Sequence, residues 1–153
     1  MINNDVLRSL RYTLSLNEAR VADIIKLADY DVSGDQIAAF LEREGEANYR
    51  ECSDEVLVHF LDGLIIHRRG KSEKPRSQPD ITNVTNNVIL KKLRLAFELK
   101  EEDMHQLMAM ASFKVSKPEL NALFRKEGHK NYRPCGDQFL RNFLKGLTLR
   151  IRG

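Results

Sequence analysis

Apolar residues recur along this chain at three- and four-residue spacing, the interval that gathers side chains on one face of an α-helix. Val6, Leu7, Leu10 and Leu14 form one such stripe, and Val21, Ile24, Ile25 and Ala28 form a second. Ile37, Phe40 and Leu41 make a third, and Val56, Leu57, Phe60, Leu61 and Leu64 a fourth. Strand-type alternation is absent, so the pattern predicts four helices and an all-α fold. The third helix has the clearest start: Ser33 with Gln36, and later in the chain Ser116 with Glu119, have the spacing of a capping box. Val32 with Ile37, and Val115 with Leu120, supply the apolar staple across each start. Gly45 and Gly128 are expected to close the third helix of each set in the left-handed conformation. The fourth helix is expected to begin near Cys52 to Asp54 and to run to Arg69, ending in Gly70.

The same pattern is written twice. Sliding the chain on itself by 83 positions aligns residues 3–70 with 86–153 without a gap, and 25 of 68 positions are identical. Residues 3–70 therefore read as a first four-helix repeat and 86–153 as a second. Residues 71–85, KSEKPRSQPDITNVT, read as a linker because two prolines stand among Ser, Lys and Gln. The fold expected is a tandem duplication of a four-helix module.

Composition sharpens this only in part. A chain of 153 residues, 42% hydrophobic, suffices for one ordinary core or two small ones. The start, Met1-Ile2-Asn3-Asn4-Asp5, has neither the basic segment nor the apolar run of a signal peptide. No apolar stretch approaches the roughly 20 residues of a membrane helix, so a cytoplasmic protein without membrane contact is expected. Two cysteines without C-x-x-C spacing suggest reduced thiols. The net charge of +3 conceals an asymmetry: residues 1–70 carry 8 basic and 13 acidic side chains, residues 86–153 carry 14 and 7. Opposite halves suggest self-association or a protein partner, and the basic copy suggests an acidic partner.

Candidate chemistry is sparse. His59, His67, His105 and His129 stand opposite Asn142, Arg150, Ala22 and Glu46, so no histidine belongs to the repeated design. Neither metal-ligand spacing nor a phosphate-cradling Gly-rich loop nor a nucleophile elbow occurs. The expectation is a non-enzymatic protein with no catalytic residue, cofactor or metal. The densest identity between copies lies between the third and fourth helices. There Asn48, Tyr49, Arg50, Cys52 and Asp54 recur as Asn131, Tyr132, Arg133, Cys135 and Asp137. One account is structural, with Tyr49 packed on the core, Arg50 paired with Glu44 or Asp54, and Cys52 half-buried at the helix start. Another makes the cysteines a sensor pair, each thiol pKa lowered by a helix N-terminus and a neighbouring arginine. A third is a recognition loop.

The second and third helices, from Val21 through Tyr30 to Val32-Ser33 and Phe40, resemble the helix-turn-helix of lambda-repressor-like DNA-binding modules, with Asp31 where that family usually places glycine. That resemblance implies DNA contact through the third helix. The second copy is better equipped for it, with Lys114, Lys117, Asn121, Arg125, Lys126 and Lys130, whereas the first offers Gly34, Asp35, Gln36 and Ala38. Over the whole chain, NDVLRSLRYTLSL, KLADYDVS and CSDEVLVHFLDGLIIHRRGK resemble the YehS-like family of bacterial proteins, which carry a duplicated domain of unknown function. The resemblance implies a bacterial cytosolic protein and brings no activity with it. The function expected is a non-enzymatic binding or assembly module. The alternatives are a DNA-binding transcriptional regulator and a cysteine-based sensor or unrecognised enzyme.

Overall fold

The computed structural model describes residues 1–71 and 80–153; the central part of the expected linker, residues 72–79, lies outside the described residues. Every regular element described is helical. The chain divides into two compact units, Met1–Val84 and Thr85–Gly153. The first holds α1 (Asn3–Thr13), α2 (Glu18–Leu27), α3 (Gly34–Leu41) and α4 (Asp54–Arg69). The second repeats the order with α5 (Asn86–Ala96), α6 (Glu101–Met110), α7 (Lys117–Leu123) and α8 (Asp137–Arg152). The chain is thus a tandem duplication of a helical module.

The helix starts follow from short polar side chains. Ser33 Oγ accepts the Gln36 N–H at 3.1 Å while Gln36 Oε1 accepts the Ser33 N–H at 2.9 Å, and Ser116 with Glu119 repeats the exchange. Ser53 caps α4 by accepting the Val56 N–H. Between α2 and α3 the chain turns through Asp29, at φ 61°, and α6 leads to α7 through Ser112, at φ 58°. The left-handed residue of this turn is therefore two positions before Asp31.

Gly45 and Gly128 do adopt positive φ, at 94° and 95°, but they do not close the third helix. α3 stops at Leu41 and α7 at Leu123. The physical reason lies in the carbonyls of the last turn. Ala39 O accepts the Arg50 N–H at 3.1 Å, and Phe40 O accepts from the Asn4 side chain at 3.0 Å. Ala122 O and Leu123 O are taken in the same way by the Arg133 N–H and the Asn87 side chain. Carbonyls engaged from outside do not recruit another helical turn, and the glycines serve the turn that follows.

Each core is built on the stripes. Leu7, Leu10, Leu57 and Phe60 are fully buried in the first unit, and their counterparts Leu90, Leu93, Leu140 and Phe143 are fully buried in the second. The tightest contact is between α2 and α4, where Gly63 lies against the Ile24 carbonyl, and between α6 and α8, where Gly146 lies against the Leu107 carbonyl. A Cβ at either glycine would overlap that carbonyl oxygen. Gly63→Ala and Gly146→Ala are each expected to destabilise their own unit by about 3 kcal/mol, the upper end of overpacking penalties. Thermal melts of the two variants read this; an unchanged midpoint would show that the helices separate freely.

Candidate binding groove

The segment joining the third and fourth helices of each unit is held from behind by two consecutive asparagines. Asn4 is completely buried at the start of α1. Its Nδ2 donates to Phe40 O at 3.0 Å and to Arg50 O at 2.8 Å, and its Oδ1 accepts the Cys52 N–H at 2.9 Å. Asn3 donates to Cys52 O and to Asp54 Oδ1, at 3.1 and 2.8 Å. Asn87 and Asn86 repeat every one of these bonds in the second unit. These asparagines are identical in both copies, and that identity was the available sequence signal. Polar residues at a helix start read most simply as solvated caps, which hides a buried role.

The clamp sorts the five repeated loop residues. Cys52 and Asp54, like Cys135 and Asp137, face the clamp and serve structure. Asn48, Arg50, Asn131 and Arg133 have exposed side chains, and Tyr49 and Tyr132 are half-buried. Arg50 donates to its neighbour's carbonyl, Tyr49 O, at 2.9 Å, and not to Glu44 or Asp54. Burial and then Glu44 raise the Tyr49 pKa, and burial and then Glu127 raise that of Tyr132, so both phenols remain protonated at neutral pH.

In the second unit this loop forms one wall of an open groove of about 1150 Å³, with α7 as the other. Lys117, Asn121, Arg125, Lys130, Tyr132 and Arg133 all line it, so four of the six residues singled out in and around the third helix converge on one concavity. Lys114 lines an adjoining cavity of about 730 Å³, and Lys126 one of about 500 Å³. Among the contributors that escaped the sequence reading are Phe113 and Pro134 in the groove wall, and Lys91 from α5. Lys91 stands where the first unit has Arg8, which bonds Asp5 at 2.6 Å and Glu42 O at 2.8 Å. The Asp5 carboxylate has become Val88 in the second copy, and that loss of an ion-pair partner was legible in advance.

The thiols do not behave as expected of a sensor. Cys52 and Cys135 are core residues, 2% and 6% exposed. Burial, with Asp54 adding, pushes the Cys52 thiol up to about 12, and burial with Asp137 does the same for Cys135. The lowered thiol pKa inferred from the nearby helix start is thus reversed, because desolvation and a carboxylate outweigh the helix end. Of the histidines, His59 is buried, stacks on Tyr30 at 4.3 Å, and donates from Nδ1 to Glu55 O at 2.7 Å. Asn142 makes the same bond to Gln138 O, which marks His59 as a helix-facing donor. Among the described residues, no three His, Cys, Asp or Glu side chains group as metal ligands, and no helix is long and apolar enough to cross a membrane.

Comparison with known proteins gives a consistent picture. A protein-family model described as protein of unknown function (DUF1456) matches residues 3–70 and again 86–153. The chain is 45% identical over 151 residues to the uncharacterized protein YehS of Escherichia coli (strain K12), covering 98% of this chain and 96% of the relative. No solved structure matches it.

Two outcomes follow from the clamp and the thiols. Asn4→Ala or Asn87→Ala strands two carbonyls and one N–H in a buried site. At about 1–3 kcal/mol for each orphaned group, the loss is expected to exceed about 3 kcal/mol in a denaturant titration. Both thiols are expected to resist a maleimide at pH 8 until the chain unfolds. Their linkage has one sign: the folded thiol titrates near 12 and the unfolded one near 9.0, so their contribution is complete below pH 9 and lost as pH rises toward 12. Rapid native labelling of either cysteine would contradict this.

Proposed function

Because the chain belongs to the DUF1456 family, described as proteins of unknown function, we propose its role from its geometry: a non-enzymatic binding module whose second unit takes a polyanionic partner. The observation that carries this is the charge reversal on a common scaffold. The clamp holds the same backbone in both units. Yet Glu42, Ala47 and Glu51 of the first unit become Arg125, Lys130 and Pro134 around the groove of the second. Clustered cations on a concave surface concentrate the field and favour an anionic partner. An acidic protein surface, including the acidic first unit of a second copy, answers that description and keeps assembly within the proposal.

A DNA-binding regulator is the second reading. The exposed side chains of Lys114 and Lys117 and the half-buried Asn121 favour it, because all three belong to α7 or its approach, the element that the helix-turn-helix resemblance implies for DNA contact. In either case the contacts are electrostatic and weaken with salt.

The test is chromatography of the full chain on immobilised heparin with a salt gradient. Replacing Arg125, Lys130 and Arg133 together by Glu is expected to move elution to markedly lower salt. The same change at exposed Arg11, Arg20 and Arg43 of the first unit leaves elution near the parent position. Equal displacement by both sets would reduce the effect to net charge and overturn the assignment of the groove.

A further inference from the structure

Three concavities of the second unit run into one another through shared walls. The central groove shares Phe113, Val115 and Glu119 with the cavity beside α6. On its other side it shares Leu123, Arg125 and Tyr132 with the cavity against α5. A half-buried aromatic ring therefore stands at each junction, Phe113 at one and Tyr132 at the other. Basic side chains occur in all three: Lys114 in the first, Lys117, Arg125, Lys130 and Arg133 in the centre, Lys91 and Lys126 in the third. The two carboxylates on the path are Glu119 and Glu127, and Glu119 is tied to the Ser116 N–H at 3.0 Å.

We propose that this track binds single-stranded nucleic acid, with phosphates on its lysines and arginines and bases stacked on Tyr132 and Phe113. The proposal deepens the polyanion reading and rests on it. A continuous cationic path fits an extended anionic polymer, and aromatic rings at its junctions add what only planar bases can use. A duplex keeps its bases stacked inside a convex cylinder and leaves those rings without a partner. An acidic peptide matches the charge but has no bases to stack. The first unit provides the contrast: Asp31, Gly34, Glu42 and Ala47 occupy the positions of Lys114, Lys117, Arg125 and Lys130, although Tyr49 and Arg50 are retained.

The experiment is a polarisation titration of the full chain at low salt with a labelled oligothymidylate of about 15 nucleotides, within the span that small single-strand-binding folds occupy. A duplex of equal length and polyglutamate are the competitors. The single strand is expected to bind about tenfold tighter than the duplex, with polyglutamate weaker still. Tyr132→Leu is expected to weaken binding about tenfold without changing the salt slope, while Tyr132→Phe stays within about twofold, as base–aromatic stacking requires. Lys130→Ala and Arg133→Ala each flatten the slope by about 0.7, the contribution of one phosphate contact on a single strand. Circular dichroism checks each fold, and Phe113→Leu supplies the same reading if Tyr132→Leu unfolds. Equal or tighter binding of the duplex or polyglutamate, or indifference to loss of the ring in a folded variant, overturns this proposal and leaves the polyanion reading standing. Failure to bind any of the three, or heparin, overturns both.

Discussion

One carboxamide in each unit organises the segment between the third and fourth helices, where an architecture common to both copies carries opposite charge. Asn4 reaches from the first turn of α1 to Phe40 at the end of α3, Arg50 in the loop and Cys52 ahead of α4. Three main-chain groups distant in sequence are satisfied by one fully buried side chain, and leaving any of them bare there is expensive. It ends α3, sets the path of the loop and positions the start of α4 together. Asn87 does the same, to within a few tenths of an ångström, in the second unit.

Because the clamp acts on backbone atoms, it leaves the outward side chains free to differ. The first unit retains glutamates at positions 42, 44, 46 and 51, and the second has Arg125, Glu127, His129 and Pro134 there. A fixed loop with changeable charge explains how a duplication can preserve one architecture and produce two surfaces. The retained pair Tyr49-Arg50 and Tyr132-Arg133 is consistent with this, since its backbone is held while its side chains are presented outward.

Much of this was legible in the sequence, and the exceptions have physical causes. Helical periodicity and the serine caps translate directly into elements because both act locally. Gly45 misled because helix termination here is decided by an asparagine 41 positions away, which no local rule registers. The thiols were legible only as a choice between a half-buried structural residue and a sensor, because the depth of burial that pushes the sulfur's pKa up is set by the packed core and not by the neighbouring sequence. Lysines and arginines around the third helix were found as a cluster, whereas Lys91 belongs to another helix and joins them only through the fold. The aromatic partner Phe113 stood at the position of Tyr30 and looked like an ordinary turn residue.

The glycine contacts between paired helices bear on how the groove meets a ligand. With only a hydrogen between α8 and the Leu107 carbonyl, the α6–α8 pair has no slack in which to slide, since axial displacement would drive a larger side chain onto that oxygen. The end of α7 and the loop after it are pinned by Asn87 and by the Arg133 N–H on Ala122 O. The main chain of the groove is therefore preorganised, and the entropy lost on association falls mainly on the lysine and arginine side chains that close over the ligand.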